Sequence, residues 1–343
     1  MKATCLLVLL NLLSLSASSA RSQTATEPVS GVRKALTIFA KFQDEAASDT
    51  PPAWAKDLFD QELPGSPSHF YAEMSFGQFA LEGTCLPKCY TSDHPANYYG
   101  IGGYGSFNRE ILTQADREVD FSQYDNDGPD ETPDSGDDDG YVDLLFLNLN
   151  SRPQPFFFDP DYRDATGIAS LGLSEDFITD DPGFGGGLIR IRKHARIGEK
   201  NGATQRVWSF AHAVGTMAHE FGHILGLTDL YDTEVEGPED DSAGIGNWGL
   251  MGRGNLGWHG DVDPDGPVPL CAFSRMALGW TGAVLEVKEE TQNVRLEDVA
   301  LGGQVAKLQI STYEYFLLEN RQPTGSYYDR DLPKGGFAHL AHR

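Results

Sequence analysis

Residues 216–232 read TMAHEFGHILGLTDLYD, and two histidines, His219 and His223, stand four positions apart with Glu220 between them. Four residues span about one helical turn, so the two imidazoles share a face and can meet one tetrahedral cation. Glu220 lies one position along, where it can reach a cation-activated water as a general base without being a ligand. Upstream, Val207, Phe210, Val214, Met217, Phe221 and Ile224 recur at steps of three and four, which predicts an amphipathic helix from about Arg206. Gly226 follows the second histidine by three residues. A glycine there can take positive φ, end the helix and turn the chain back. The spacing H-E-x-x-H-x-x-G-x-x-D makes Asp229 the candidate third zinc ligand; Asp232, Glu234 and Glu236 compete for that place. A carboxylate is shorter than an imidazole, so a backbone carrying it must approach the metal more closely.

Around this stretch lies a chain of 343 residues with a formal net charge of −25. That length supports a large buried core. The charge argues against nucleic acid and anionic membrane surfaces as partners. Residues 1–20, MKATCLLVLLNLLSLSASSA, join a basic start to an apolar run and small residues, the pattern of a cleaved secretory signal. The expected location is therefore extracellular, and no later segment reads as a membrane span. Residues 21–33 form a short polar segment, and the folded part is expected over 34–343. Without the signal three cysteines remain, Cys85, Cys89 and Cys271. In an oxidising compartment the close pair Cys85 and Cys89 could form a local disulfide, with Cys271 free and buried.

Between Asp116 and Asp143 the chain carries twelve acidic residues and one basic residue. Asp125, Asp127, Asp137, Asp139 and Asp143, spaced around Gly128 and Gly140, offer the hard oxygens that a structural calcium ion takes. Strands are expected at 34–42, around Phe79 to Leu81, at 141–150 and from Leu188 to about Ala195, the last with the alternation of an edge strand. Helices are expected at 54–63 and over FNREILTQADREVDF, 107–121. A subdomain boundary is expected near Gly226.

HEFGHILGLTDLYD resembles the active-site signature of the immune inhibitor A family of secreted metallopeptidases, relatives of the metzincins. EMSFGQFALEGT, DFSQYDNDG, GDDDGYVDLLFL, GNWGLMGRGNL, FSRMALGW and YFLLENRQ are similar to other landmarks of that family, in its order. The resemblance implies an α/β metzincin-like catalytic domain: a mixed twisted sheet, an active-site helix across it, and a smaller C-terminal subdomain. It also implies zinc on His219 and His223, Glu220 as general base, and a Met-turn at Met251 beneath the metal. Metzincins often place a tyrosine two residues after that methionine, but this chain has Arg253 there. Tyr231, Arg253 and His259 are candidates for the oxyanion donor.

The function expected from these features is zinc-dependent hydrolysis of protein or peptide substrates, with substrate extended along the strand near Leu188. A calcium-stabilised, non-catalytic binding or adhesion protein that keeps the fold is the alternative, and retention of Glu220 weighs against it. Against the resembling enzymes, the short N-terminal segment is expected to hold no propeptide, and LPKGGFAHLAHR looks like the beginning of a further strand of that family, cut short.

Overall fold

The run of 31–41, GVRKALTIFAK, with β-branched Val32, Thr37 and Ile38, forms a strand, β1 (Gly31–Lys41), buried along its second half. It lies beside β3 (Leu144–Leu149), a six-residue strand with every residue buried. This is the computed structural model of the chain; it describes residues 28–126, 130, 132–149, 166–193, 201–233, 242–259, 265–288, 294–312 and 314–333. β1 and β3 pair in parallel from Ala35 opposite Leu144 to Ala40 opposite Leu149. A strand buried on both faces reads as a continuous apolar run, as LLFLNL does.

Three further strands complete a mixed five-stranded sheet in the order β2-β1-β3-β7-β4: β2 (Phe79–Thr91), β4 (Gly167–Ile168) and β7 (Gly202–Arg206). β7 runs parallel to β3, and β4 runs antiparallel to β7 at the end of the order. The remaining two strands of this part, β5 (Phe177–Pro182) and β6 (Leu188–Ile191), form a separate antiparallel pair. Leu188–Ile191 is thus a strand, but not an edge of the main sheet. Its backbone is also occupied on the other side: Val142 N–H donates to the Arg190 carbonyl at 2.8 Å, and Arg190 N–H donates to the Gly140 carbonyl at 3.0 Å.

Three helices precede β3: α1 (Pro67–Met74), α2 (Ala96–Tyr99) and α3 (Tyr104–Ala115). The helix expected at 54–63 is only a 3-10 turn, Ala53–Asp57, behind Pro52. Phe107, Ile111, Leu112 and Ala115 of α3 are buried with Leu36, Ile38, Leu145 and Leu147 of the sheet in one core. The long helix α4 (Phe210–Ile224) follows β7 directly. It packs on the sheet through Phe221, whose ring lies 6.3 Å from that of Phe146, and through Met217, whose sulfur meets Asn148 Nδ2 at 3.9 Å. Tyr71 closes the other side of Phe221, with ring centroids 4.9 Å apart, and its hydroxyl donates to the Ala218 carbonyl at 2.6 Å.

The chain divides into two units, one of residues 31–71 and 80–228, the other of residues 1–30, 72–79 and 229–343. The second holds α5 (Ala272–Ala277) and a three-stranded sheet, β10-β9-β8, of β8 (Val284–Val287), β9 (Val305–Gln309) and β10 (Tyr315–Leu318). Its small core gathers Ala272, Val299, Val305 and Leu317. Around Trp280 and Arg275, both fully buried, Arg275 donates to the Met74 carbonyl at 2.8 Å and the Leu270 carbonyl at 3.2 Å. Among the described residues no helix is long and apolar enough to cross a membrane.

The expected disulfide between Cys85 and Cys89 is absent. Both thiols are free and both residues sit in the single strand β2. Four steps along a strand cover roughly 13 Å, about twice the Cα separation a disulfide tolerates. Burial pushes the Cys85 thiol up to about 12 and the Cys89 thiol up to about 11, so neither is a thiolate at neutral pH. Cys271 is free and buried.

Candidate metal centre

Ser209 opens α4: its backbone is extended and its hydroxyl accepts the His212 N–H at 3.2 Å. This satisfies one of the unpaired donors of the first turn. The apolar stripe of Val214, Met217 and Phe221 turns to the sheet and is buried, which leaves His219, Glu220 and His223 on an adjoining face. His219 and Glu220 are buried and His223 is half-buried.

The helix ends on Gly226, whose φ is +98°. Gly226 N–H donates to the His223 carbonyl at 3.1 Å, and Leu227 N–H donates to the Gly222 carbonyl at 2.9 Å. This pair of bonds is the Schellman closure, which needs a residue free to adopt the left-handed conformation. The turn has a consequence for the site. It brings the Leu227 carbonyl to 3.0 Å from His223 Nδ1. With its proton on Nδ1 the ring donates to that carbonyl, and Nε2 keeps its lone pair for a cation, the usual supporting bond of a metal-bound histidine.

His219, His223 and Asp229 each bring a ligand atom to within 4.8 Å of the other two. The histidine rings are 4.8 Å apart between centroids and nearly perpendicular, at 85°. All three residues lie on one unbroken stretch of chain, so the helix and its terminating turn are what gather them. A tetrahedral zinc with ~2.1 Å bonds has donor–donor edges of roughly 3.4 Å, so the donors need close by little more than an ångström. Two imidazoles and a carboxylate, with a fourth position left open, are the donor set of hydrolytic zinc sites. The residues present fit the metal.

Asp232 is half-buried, and its N–H donates to the Ser242 carbonyl at 3.0 Å. Glu234, Glu236 and Asp127 lie outside the described residues. The residue after Asp229 is tied to the turn at Met251: Leu230 N–H donates to the Met251 carbonyl at 2.8 Å. Met251 is completely buried, and Arg253 and His259 are exposed while Tyr231 is half-buried.

The acidic run does not converge as its sequence suggests. Among the described residues, no three of Asp125, Asp137, Asp139 and Asp143 gather their oxygens as a cation site would. They serve their own loop instead. Asp125 accepts from Gly140 N–H at 2.9 Å, Asp143 from Asn126 N–H at 2.9 Å, and Asp139 pairs with Arg192 at 2.8 Å. Three other carboxylates do come within 4.8 Å of one another, those of Asp116, Asp180 and Asp181. Partial burial and mutual repulsion raise the carboxyls of Asp116 and Asp181. Sequence reading passed over this trio because β5 supplies two of its members from more than sixty residues away.

The catalytic-domain model of the family described as Immune inhibitor A peptidase M6 matches residues 204–280. The match runs from β7 through α4, its terminating turn, Met251 and α5. No curated protein matches the chain. Over residues 204–280, which include every member of the His219, His223 and Asp229 cluster, the chain is similar to the catalytic domain of the immune inhibitor A peptidases.

Proposed function

We propose that this protein is a secreted zinc metalloendopeptidase of metzincin-like fold. The observation that carries this reading is the convergence of His219, His223 and Asp229 within 4.8 Å, inside the segment that matches a peptidase catalytic domain. Zinc held there supplies Lewis acidity toward a water molecule and the scissile carbonyl. The chain's own residues do the rest. His223 is oriented by its Nδ1 contact with Leu227, and Glu220 takes a proton from the water at a carboxylate oxygen and passes it to the departing amine nitrogen.

The main sheet ends, among the described residues, at β4 beside α4. Arg206 N–H donates to the Thr166 carbonyl at 2.8 Å, so in the antiparallel alternation the next residue, Gly167, turns its own N–H and carbonyl to the open edge. An extended substrate pairs there by backbone hydrogen bonds, which fix its position without reading its side chains. This replaces the strand at Leu188 as the docking edge. Peptide substrates N-methylated at single amides around the scissile bond test it: one methyl position should slow cleavage at least ~10-fold, and equal rates for all positions would remove the edge from the reading.

The deciding experiment is hydrolysis of an unfolded protein by the purified chain with and without a zinc chelator, beside Glu220→Ala. Cleavage abolished by chelator and cut to a small residual rate by the substitution is expected. A folded, zinc-loaded chain without cleavage would favour a binding protein. Secretion belongs to the same reading; expression in a secreting host should yield a chain beginning near Arg21, and retention of residues 1–20 in the medium or cell would count against a cleaved signal.

A further inference from the structure

Gly167 and Glu220 meet where β4 crosses α4. A Cβ built on Gly167 would stand 2.6 Å from Glu220 Oε1, 2.9 Å from Glu220 Cγ and 2.8 Å from Thr216 Cγ2. Real side chains do not approach so closely. Gly167 is not among the glycines with positive φ, so its backbone is open to any residue. Space, not conformation, demands glycine here.

The strand has little freedom to retreat from a larger residue. Thr166 is bonded to β7 through Arg206, and the Ile168 carbonyl accepts the Ser170 N–H at 2.7 Å. On the helix side the Thr216 hydroxyl donates to that of Thr166 at 3.4 Å. Thr216 is β-branched and stiff. Of the atoms a methyl would strike, the Glu220 carboxylate is the one at the end of a flexible side chain, so it is the group that moves.

We propose that Gly167 is a positioning residue for Glu220: its bare Cα is the wall on which the carboxylate seats, and any side chain there displaces the base. This rests on the reading of Glu220 as the base. It goes beyond it in assigning the accuracy of that base to a residue outside the zinc-binding segment, more than fifty positions upstream. A carboxylate moved by about an ångström from the water it deprotonates loses on the order of 100-fold in rate, while none of the three atoms nearest such a methyl belongs to His219, His223 or Asp229.

The test is a double-mutant cycle of Gly167→Ala and Glu220→Ala, read by steady-state kinetics, zinc affinity and melting of the metal-free protein. In the native background Gly167→Ala should lower kcat at least ~30-fold with KM and zinc affinity within about three-fold. In the Glu220→Ala background the same substitution should leave the residual rate unchanged, and part of the melting loss it causes should be recovered, because the clash with Glu220 is gone while the 2.8 Å approach to Thr216 Cγ2 remains. An equal fall in kcat in both backgrounds, or no fall in either, overturns the proposal. If Gly167→Ala does not fold, Gly167→Ala/Glu220→Asp removes a methylene where a methyl was added; the double variant folding and melting higher than the single sustains the seating, and failure to recover overturns it. If the native chain shows no chelator-sensitive cleavage, the peptidase reading fails by itself, and the melting cycle then judges the packing alone: additive losses overturn it and non-additive losses uphold it.

Discussion

Asp229 and Asp329 show how differently one residue type behaves at two sites. Asp229 is half-buried and shares its surroundings with two imidazoles. In the role proposed for it, that of zinc ligand, it serves the metal site rather than the fold. Asp229→Ala should therefore leave the melting of the metal-free chain within about 1 kcal/mol while weakening zinc binding at least ~10-fold, read by competition with a chelating dye. Unchanged affinity would pass the third ligand to another carboxylate.

Asp329 is fully buried, with Arg321 at 3.8 Å and the Arg321–Glu319 pair at 2.9 Å beside it. Burial outweighs the attraction of Arg321 and pushes its carboxyl from 3.8 up to about 6. A carboxyl raised on folding binds a proton that the unfolded chain releases, so its contribution to stability is lost as pH rises from about 4 to above 6. Asp329→Asn should flatten that stretch of the pH–stability curve by on the order of 2 kcal/mol, measured by urea unfolding at pH 5 and pH 7.5. A native curve that rises with pH across that interval and is copied by the variant would refute the assignment.

At the scale of elements, the two ends of α4 carry unequal duties. The Ser209 cap serves stability, and Ser209→Ala should cost about 1 kcal/mol with zinc affinity unchanged. Gly226 serves both stability and the site, since its positive φ places the carbonyl that orients His223. Gly226→Ala should cost about 1 kcal/mol and also weaken zinc roughly 10-fold. Equal effects of the two variants on zinc would show that the turn is only a terminator.

The same elements explain what was legible in the sequence. The convergence of His219, His223 and Asp229 was readable because one helix and one turn produce it, and both leave short-range spacing. β1 and β3 were readable from apolar runs. β7 was missed, and the helix was started too early at Arg206, because GATQR has no alternation. Its buried Thr204 and Gln205 find partners outside β7: the Thr204 hydroxyl donates to the Ser170 carbonyl at 2.8 Å, and Gln205 Nε2 donates to Asn148 Oδ1 at 2.7 Å. The contact of Gly167 with Glu220 joins residues on separate elements and leaves no mark in local pattern. The acidic run shows the converse among its described residues, where density along the chain is not convergence in space.

Across the whole molecule the dominant electrostatic fact is the net charge of −25, which opposes compaction through self-repulsion. The raised carboxyls of Asp116 and Asp181, which owe part of their shift to neighbouring carboxylates, are local signs of that repulsion. Salt screens such terms over a Debye length of about 10 Å at 0.1 M. Raising sodium chloride from 20 to 200 mM at pH 7.5 should therefore raise the melting temperature by a few degrees, as would replacement of Asp180 by asparagine at low salt. The two stabilisations should overlap, because each relieves the same repulsion: the variant gains less from salt than the native chain does. Calcium and magnesium compared at equal ionic strength extend the experiment. If screening is the whole effect the two cations act alike, and a gain confined to calcium would mean that the acidic run, with Asp127 included, closes around an ion after all.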